Sequence, residues 1–156
     1  MKKLLMALIL SLVVSASCFA AGASGRFAAE EKAADALIAA LTGTGTYEQV
    51  SKSFAQPLKA QLTAEKFKSV QDAFKTQIGT IKNINFVRLI KEYNIEKGYS
   101  GRDQLMYMGT VGKDKSVHIF VLFVLENNAP KVIAFQPRVF SLQAQPTAGA
   151  QDNVKK

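Results

Sequence analysis

His118 is the only histidine in the chain and Cys18 the only cysteine. Histidine is the side chain best suited to move a proton near neutral pH, and a thiolate is an intrinsically strong nucleophile. These two positions therefore bound the chemistry available. His118 stands near the start of the most apolar stretch, residues 117–125. With a carboxylate beside it, it would serve as a general base. Without one, it reads as a half-buried histidine satisfied by backbone. The aspartates on offer are Asp35, Asp72, Asp103 and Asp114. Helical spacing puts Asp35 and Asp72 on polar faces, while Asp103 and Asp114 neighbour glycine turns. None is expected in an apolar stripe, where burial would make a proton-holding acid. That pattern argues against acid/base catalysis and leaves His118 as the sole catalytic candidate.

Other chemistries are excluded more directly. The adjacent acids Glu30 and Glu31 point to different sides of a helix, so no carboxylate cluster gathers for a metal, and no cofactor is implied. Gly43-Thr44-Gly45 lacks the preceding strand and the following Gly-Lys-Ser/Thr of a phosphate loop. There is no nucleophile elbow and no serine–lysine acyl-transfer arrangement. What remains is binding. Tyr93, Tyr107, Met106, Met108, His118 and Phe120 are the candidate lining of a pocket, since tyrosine carries a ring with one polar handle and methionine adapts to irregular shapes. Ordinary core and hairpin packing explains each of them singly.

The elements that must position these residues follow from periodicity. Phe27, Ala34, Leu37, Ile38 and Leu41 share one helical face from Arg26 onward, with Glu30, Glu31, Lys32 and Asp35 placed mostly on the other. Thr46 and Gln49 form a capping box for a second helix, which Pro57 breaks near Ala55. Thr63 caps a third, in which Phe67, Val70, Phe74 and Ile78 make one stripe ending at Gly79. The period then changes from 3.6 to 2. Strands are expected over 84–95, 104–111, 116–125 and 131–136, joined by short turns that favour antiparallel hairpins. The stretch 117–125 is apolar on nearly both faces, which marks a central strand. Pro137 marks an edge or a bulge. Phe67, Phe74, Phe120 and Leu122 are expected to be buried together, with the third helix against the sheet.

The two ends of the chain differ in kind from the middle. Lys2 and Lys3, a short apolar run over 4–14 and small residues behind it have the form of a signal peptide over 1–20. Cleavage after Ala20 fits the small-residue rule, as does cleavage after Ala23. Ser15-Ala16-Ser17-Cys18 is a degraded lipid-attachment box, so acylation at Cys18 is the third reading and the one that would hold the protein to a membrane. A periplasmic or secreted location follows, and cleavage beyond Cys18 leaves no thiol at all. Residues 26–142 form one domain, large enough to bury a core without disulfides. Residues 143–156 are polar, lack periodicity and read as a disordered tail. The formal charge of +8 comes from scattered lysines with no aromatic interleaving, which gives no nucleic-acid platform.

Helices followed by hairpins give an α+β layout. Leu62-Thr63-Ala64-Glu65-Lys66-Phe67, then Gly79-Thr80-Ile81, then Gly98-Tyr99, and the meander ending in Ala129-Pro130-Lys131-Val132-Ile133-Ala134-Phe135 resemble the DUF3887-type secreted bacterial domains of the NTF2-like (cystatin-like cone) superfamily. The resemblance spans roughly residues 33–136. It implies three N-terminal helices packed on a curved, four-stranded antiparallel sheet around an apolar pocket, and by analogy a homodimer. It brings no single function, because that scaffold hosts enzymes and accessory domains alike. The expected role is an exported, non-catalytic envelope domain that binds a hydrophobic small molecule or an envelope protein. The alternative is a small isomerase or hydratase using His118.

Overall fold

The computed structural model describes residues 23–142; the expected signal peptide and tail lie outside the described residues. Helix α1 runs Ala23–Leu41, starting three residues earlier than the periodicity predicts. Its alanines supply helix propensity, and Ala34, Leu37, Ile38 and Leu41 supply the buried stripe. It ends where Thr42 and Thr44 turn their hydroxyls back onto the carbonyls of Ile38 and Ala39, at 2.9 and 3.0 Å.

The middle of the helical layer holds two short helices where one is expected. Helix α2, Tyr47–Val50, begins with the Thr46 N–H donating to Gln49 Oε1 at 2.9 Å. A 3-10 turn over Ser51–Ser53 follows, and the chain then straightens at Phe54. There the Ala55 N–H donates to the Val132 carbonyl at 2.8 Å, so the connection is pinned to the sheet. Helix α3, Gln56–Gln61, then starts with Pro57 in its first turn. Proline ends one helix because it lacks an N–H, and for the same reason it is well placed to begin the next. Among the described residues the layer therefore has four helices instead of three.

Helix α4, Ala64–Gln77, has the cap and stripe read from the sequence: Thr63 Oγ1 accepts from the Lys66 N–H, and Phe67 and Phe74 are buried. Tyr47, Phe54 and Phe67 meet ring to ring, with centroids 5.8–6.4 Å apart. The Tyr47 hydroxyl donates to the Leu62 carbonyl at 2.8 Å, which ties α2 to the start of α4.

Strands β1 (Ile81–Asn94), β2 (Gly98–Val111), β3 (Lys115–Glu126) and β4 (Ala129–Ser141) form one antiparallel meander in the order β1-β2-β3-β4. The sheet is curved and does not close. All four strands are longer than expected, β4 most of all, because it continues through Pro137 to Ser141. Pro137 is tolerated since β4 is an edge strand. Asn127 and Asn128, both at positive φ, make the tight β3–β4 turn. Register shifts interrupt β1 at three places, and such shifts bend and twist a strand. At the first, Ile81 and Ile84 fold over Gly109, where a Cβ would lie 2.5 Å from Ile81 Cγ2.

Strand alternation divides the sheet into two faces. Leu105, Tyr107, Val117, Ile119, Val121 and Phe123 join Leu37, Phe54, Phe67 and Phe74 in the core under the helices. Phe120 and Leu122 alternate with these and point the other way. Phe120 is half-buried and Leu122 is 36 % exposed, so the expectation that both pack with Phe67 and Phe74 is corrected. The β3 run is apolar on both faces, but the described helices cover only one of them.

Candidate functional site

Two regions stand out, one on each face. On the covered face, the first turns of α1 present Arg26 and Glu30, an i,i+4 pair on one side of the helix. Glu30 sits in the same stripe as Ala34, Leu37, Ile38 and Leu41 and is buried. The expectation that it lies on the polar face is therefore wrong. Asp103 alternates in phase with Leu105 and Tyr107 and is buried beneath the same helix end. The expectation that no acid is buried fails there too. The signal was present in both cases: position 30 is four residues before Ala34, and position 103 has the parity of the core-facing side of β2.

The cluster is compact. Lys91, the register partner of Asp103 on β1, donates to Asp103 Oδ2 at 2.9 Å. Arg26 Nε stands 3.6 Å from the same oxygen and 3.8 Å from Glu30 Oε1. The Arg26 guanidinium lies over the Tyr99 ring at 4.5 Å, with Lys91 Nζ 5.2 Å from it. Two acids thus meet two cations under an aromatic lid. Burial, then the closeness and negative charge of Asp103, pushes the Glu30 carboxyl up to about 7. Lys91 and Arg26 pull against that rise. Burial first, then Asp103, also raises the Tyr99 hydroxyl. Glu30 is therefore a proton-holding acid near neutral pH. The cations of the cluster keep two carboxyl groups together where two ionised ones alone would repel.

The other face is assembled by register. Its rows across β1, β2, β3 and β4 are Ile90–Gln104–Leu122–Ala134, Arg88–Met106–Phe120–Gln136, Asn85–Met108–His118–Arg138 and Lys82–Thr110–Ser116–Phe140. Ile90, Leu122 and Phe140 are 39 %, 36 % and 43 % exposed. The first row floors a pocket of about 520 Å³, lined by Ile90, Gln104, Leu122, Ile133 and Ala134, with the exposed pair Arg102–Glu92 (3.7 Å) at its rim; Asp103 and Phe123, both buried with the covered face, also border it. Ile133 reaches it because β4 carries one extra residue opposite Leu122 and Phe123. Volumes in this range hold drug-sized ligands, and a mainly apolar lining with a few polar groups is the usual composition.

The six residues proposed from the sequence do not share one cavity. Met106, Met108, His118 and Phe120 form two adjacent register pairs on the outer face, next to the pocket. Tyr107 points inward, beside a second cleft of about 490 Å³ between α1 and β1 that Glu31, Asp35 and Phe86 also line. Tyr93 stands at the far end of β1, its ring 5.6 Å from that of Tyr99. His118 has aromatic neighbours, Phe140 at 4.5 Å and Phe120 at 6.4 Å, and among the described residues no carboxylate bonds it. Ile90, Leu122, Ile133 and Ala134 were missed. Leu122 and Ile90 carry the right parity, but period 2 alone does not tell a covered face from an open one, and the extra residue at Ile133 has no sequence signal. Comparison with protein-family models, with curated proteins and with solved structures finds no match for this chain.

Proposed function

We propose that this is an exported, non-catalytic envelope domain of the NTF2-like, DUF3887 type that binds a hydrophobic small molecule on the open face of its sheet. One observation carries the reading: an apolar pocket of about 520 Å³ stands on the face that the described helices do not cover. Exposed isoleucine and leucine side chains, Ile90 and Leu122, gathered in one hollow mark a binding site more than a solvated surface. The surroundings of His118 favour binding over proton transfer. Its neighbours are rings, Met108 and Arg138, whereas the buried acids Glu30 and Asp103 belong to the opposite face. The amino-terminal pattern supports export, with a mature chain starting at Ala21.

Native mass spectrometry of the protein taken from its own envelope fraction tests both parts. The expected result is a protein carrying a small apolar adduct that is lost in Leu122→Asp. A mature protein with no adduct, and no uptake of an apolar fluorescent probe, would overturn the binding reading. An acylated Cys18 at the amino terminus would replace the free periplasmic protein with a membrane-held lipoprotein.

A further inference from the structure

The charges around the open face name the class of ligand, an inference that rests on the binding reading above. Every row but the first carries a cation or ends beside one. Arg88 adjoins Met106, Arg138 adjoins His118, and Lys82 adjoins Thr110. Arg102 stands at the pocket rim. Two acids border the pocket: Glu92 is engaged by Arg102, and Asp103 by Lys91 and Arg26 on the covered face. Among the described residues Arg88 and Arg138 have no acid partner. Arg138 instead donates to the neutral Gln136 Oε1 at 3.1 Å and holds its guanidinium 5.5 Å from the centre of the Phe120 ring. An apolar surface bordered by unneutralised guanidinium groups is complementary to a molecule with an apolar body and an anionic end.

Three occupants answer that description in part, and the geometry separates them. A second copy of this face would bring the arginines of one protomer against those of the other, which is unfavourable. A bilayer is met by apolar side chains that project outward, as on an amphipathic helix, whereas Ile90, Leu122, Ile133 and Ala134 line a hollow. A single molecule fits the hollow. We infer that the ligand is a single-chain anionic amphiphile, its tail in the pocket over Leu122 and its head group between Arg88 and Arg138, beside Met106 and Phe120. The head-group position and the floor of the pocket lie in adjacent rows, two residues or about 7 Å apart along the strands, so one molecule reaches both. Guanidinium groups fork onto two oxygens at once, which suits a carboxylate, sulfate or phosphate head.

Binding of dodecanoate and of dodecanol, each below its aggregation limit, is measured by titration calorimetry on the mature chain. Dodecanoate should bind at least about tenfold more tightly than dodecanol, as expected when a charge-assisted hydrogen bond is added to the same apolar contact. In Arg88→Gln/Arg138→Gln the preference should vanish while dodecanol binding stays as it was; both arginines are exposed, so the fold should survive. Leu122→Asp should abolish both. Equal affinity for acid and alcohol in the unaltered protein would overturn the assignment of an anionic ligand while leaving an apolar pocket in place. Failure of both to bind would overturn the pocket itself. Capture by vesicles containing anionic lipid, without binding of monomeric dodecanoate, would put a bilayer in place of the single molecule and overturn the inference.

Discussion

The two faces of the one sheet reverse the usual distribution of residues. The face under the helices buries two carboxyl groups, Glu30 and Asp103. The open face displays Ile90, Leu122 and Phe140. Each reversal has its own physical support. The acids are tolerated because α1 and β1 each send a cation to meet them, Arg26 and Lys91. The apolar side chains are partly sheltered by one another: Met106, in the middle of the face, is only 7 % exposed although none of the described helices covers it. A buried charge needs partners from other elements, whereas an exposed apolar patch needs only neighbours on its own sheet. The first therefore ties elements together, and the second remains free to take a ligand.

The comparison can be broken from either side. The largest effect is expected in the core: Phe74→Ala should cost about 3–5 kcal/mol, while Phe120→Ala, on the open face, should cost only about 1 kcal/mol. Equal losses in chemical denaturation would mean that the two faces are packed alike. Next comes the charge cluster. Asp103→Ala removes the acid that Arg26 and Lys91 share and should destabilise by about 3 kcal/mol. Both cations retain some access to water, which holds the loss to the low end for broken buried pairs.

A pH comparison sharpens the same point. A carboxyl whose folded-state pKa is raised binds its proton more tightly when folded, so its stabilising contribution is complete below the ordinary value of 4.5 and is lost as pH rises towards about 7. Glu30→Gln has no such proton to lose. Across this window the variant should gain stability relative to the unaltered protein as pH increases, and two parallel stability–pH curves would show that Glu30 is not held as described. The smallest effect is expected at His118. His118→Gln keeps hydrogen bonding and similar bulk, so stability and ligand affinity should both stay nearly unchanged. A substrate whose conversion fell about a hundredfold in that variant, with folding intact, would restore the general-base role.

Much of the architecture was legible because it rests on local physics. The capping residues Thr46 and Thr63, the stripe of Phe67 and Phe74, the antiparallel hairpins and the edge position of the Pro137 strand all follow from spacing and backbone chemistry. Pro57 was read as a break, which it is, but its second role at the start of α3 depends on Phe54 and Ala55 being held by Val132, a contact seventy-odd residues away in the chain that periodicity does not report.

The site was less legible for a related reason. Alternation grouped Met106 with Met108 along β2, and His118 with Phe120 and Leu122 along β3, but Phe120 and Leu122 were expected under the helices, and only the β2–β3 register joins the two sets on one face. Only the packing of α1 and α4 decided that this face is the uncovered one, because either side of a strand apolar on both faces can receive the helices. The buried acids show the same limit: parity put Glu30 and Asp103 in line with core residues, and their charge argued for the surface. Burial was settled by Arg26 and Lys91 arriving from other elements, since the cost of removing a charge from water depends on partners that only the tertiary structure brings within reach.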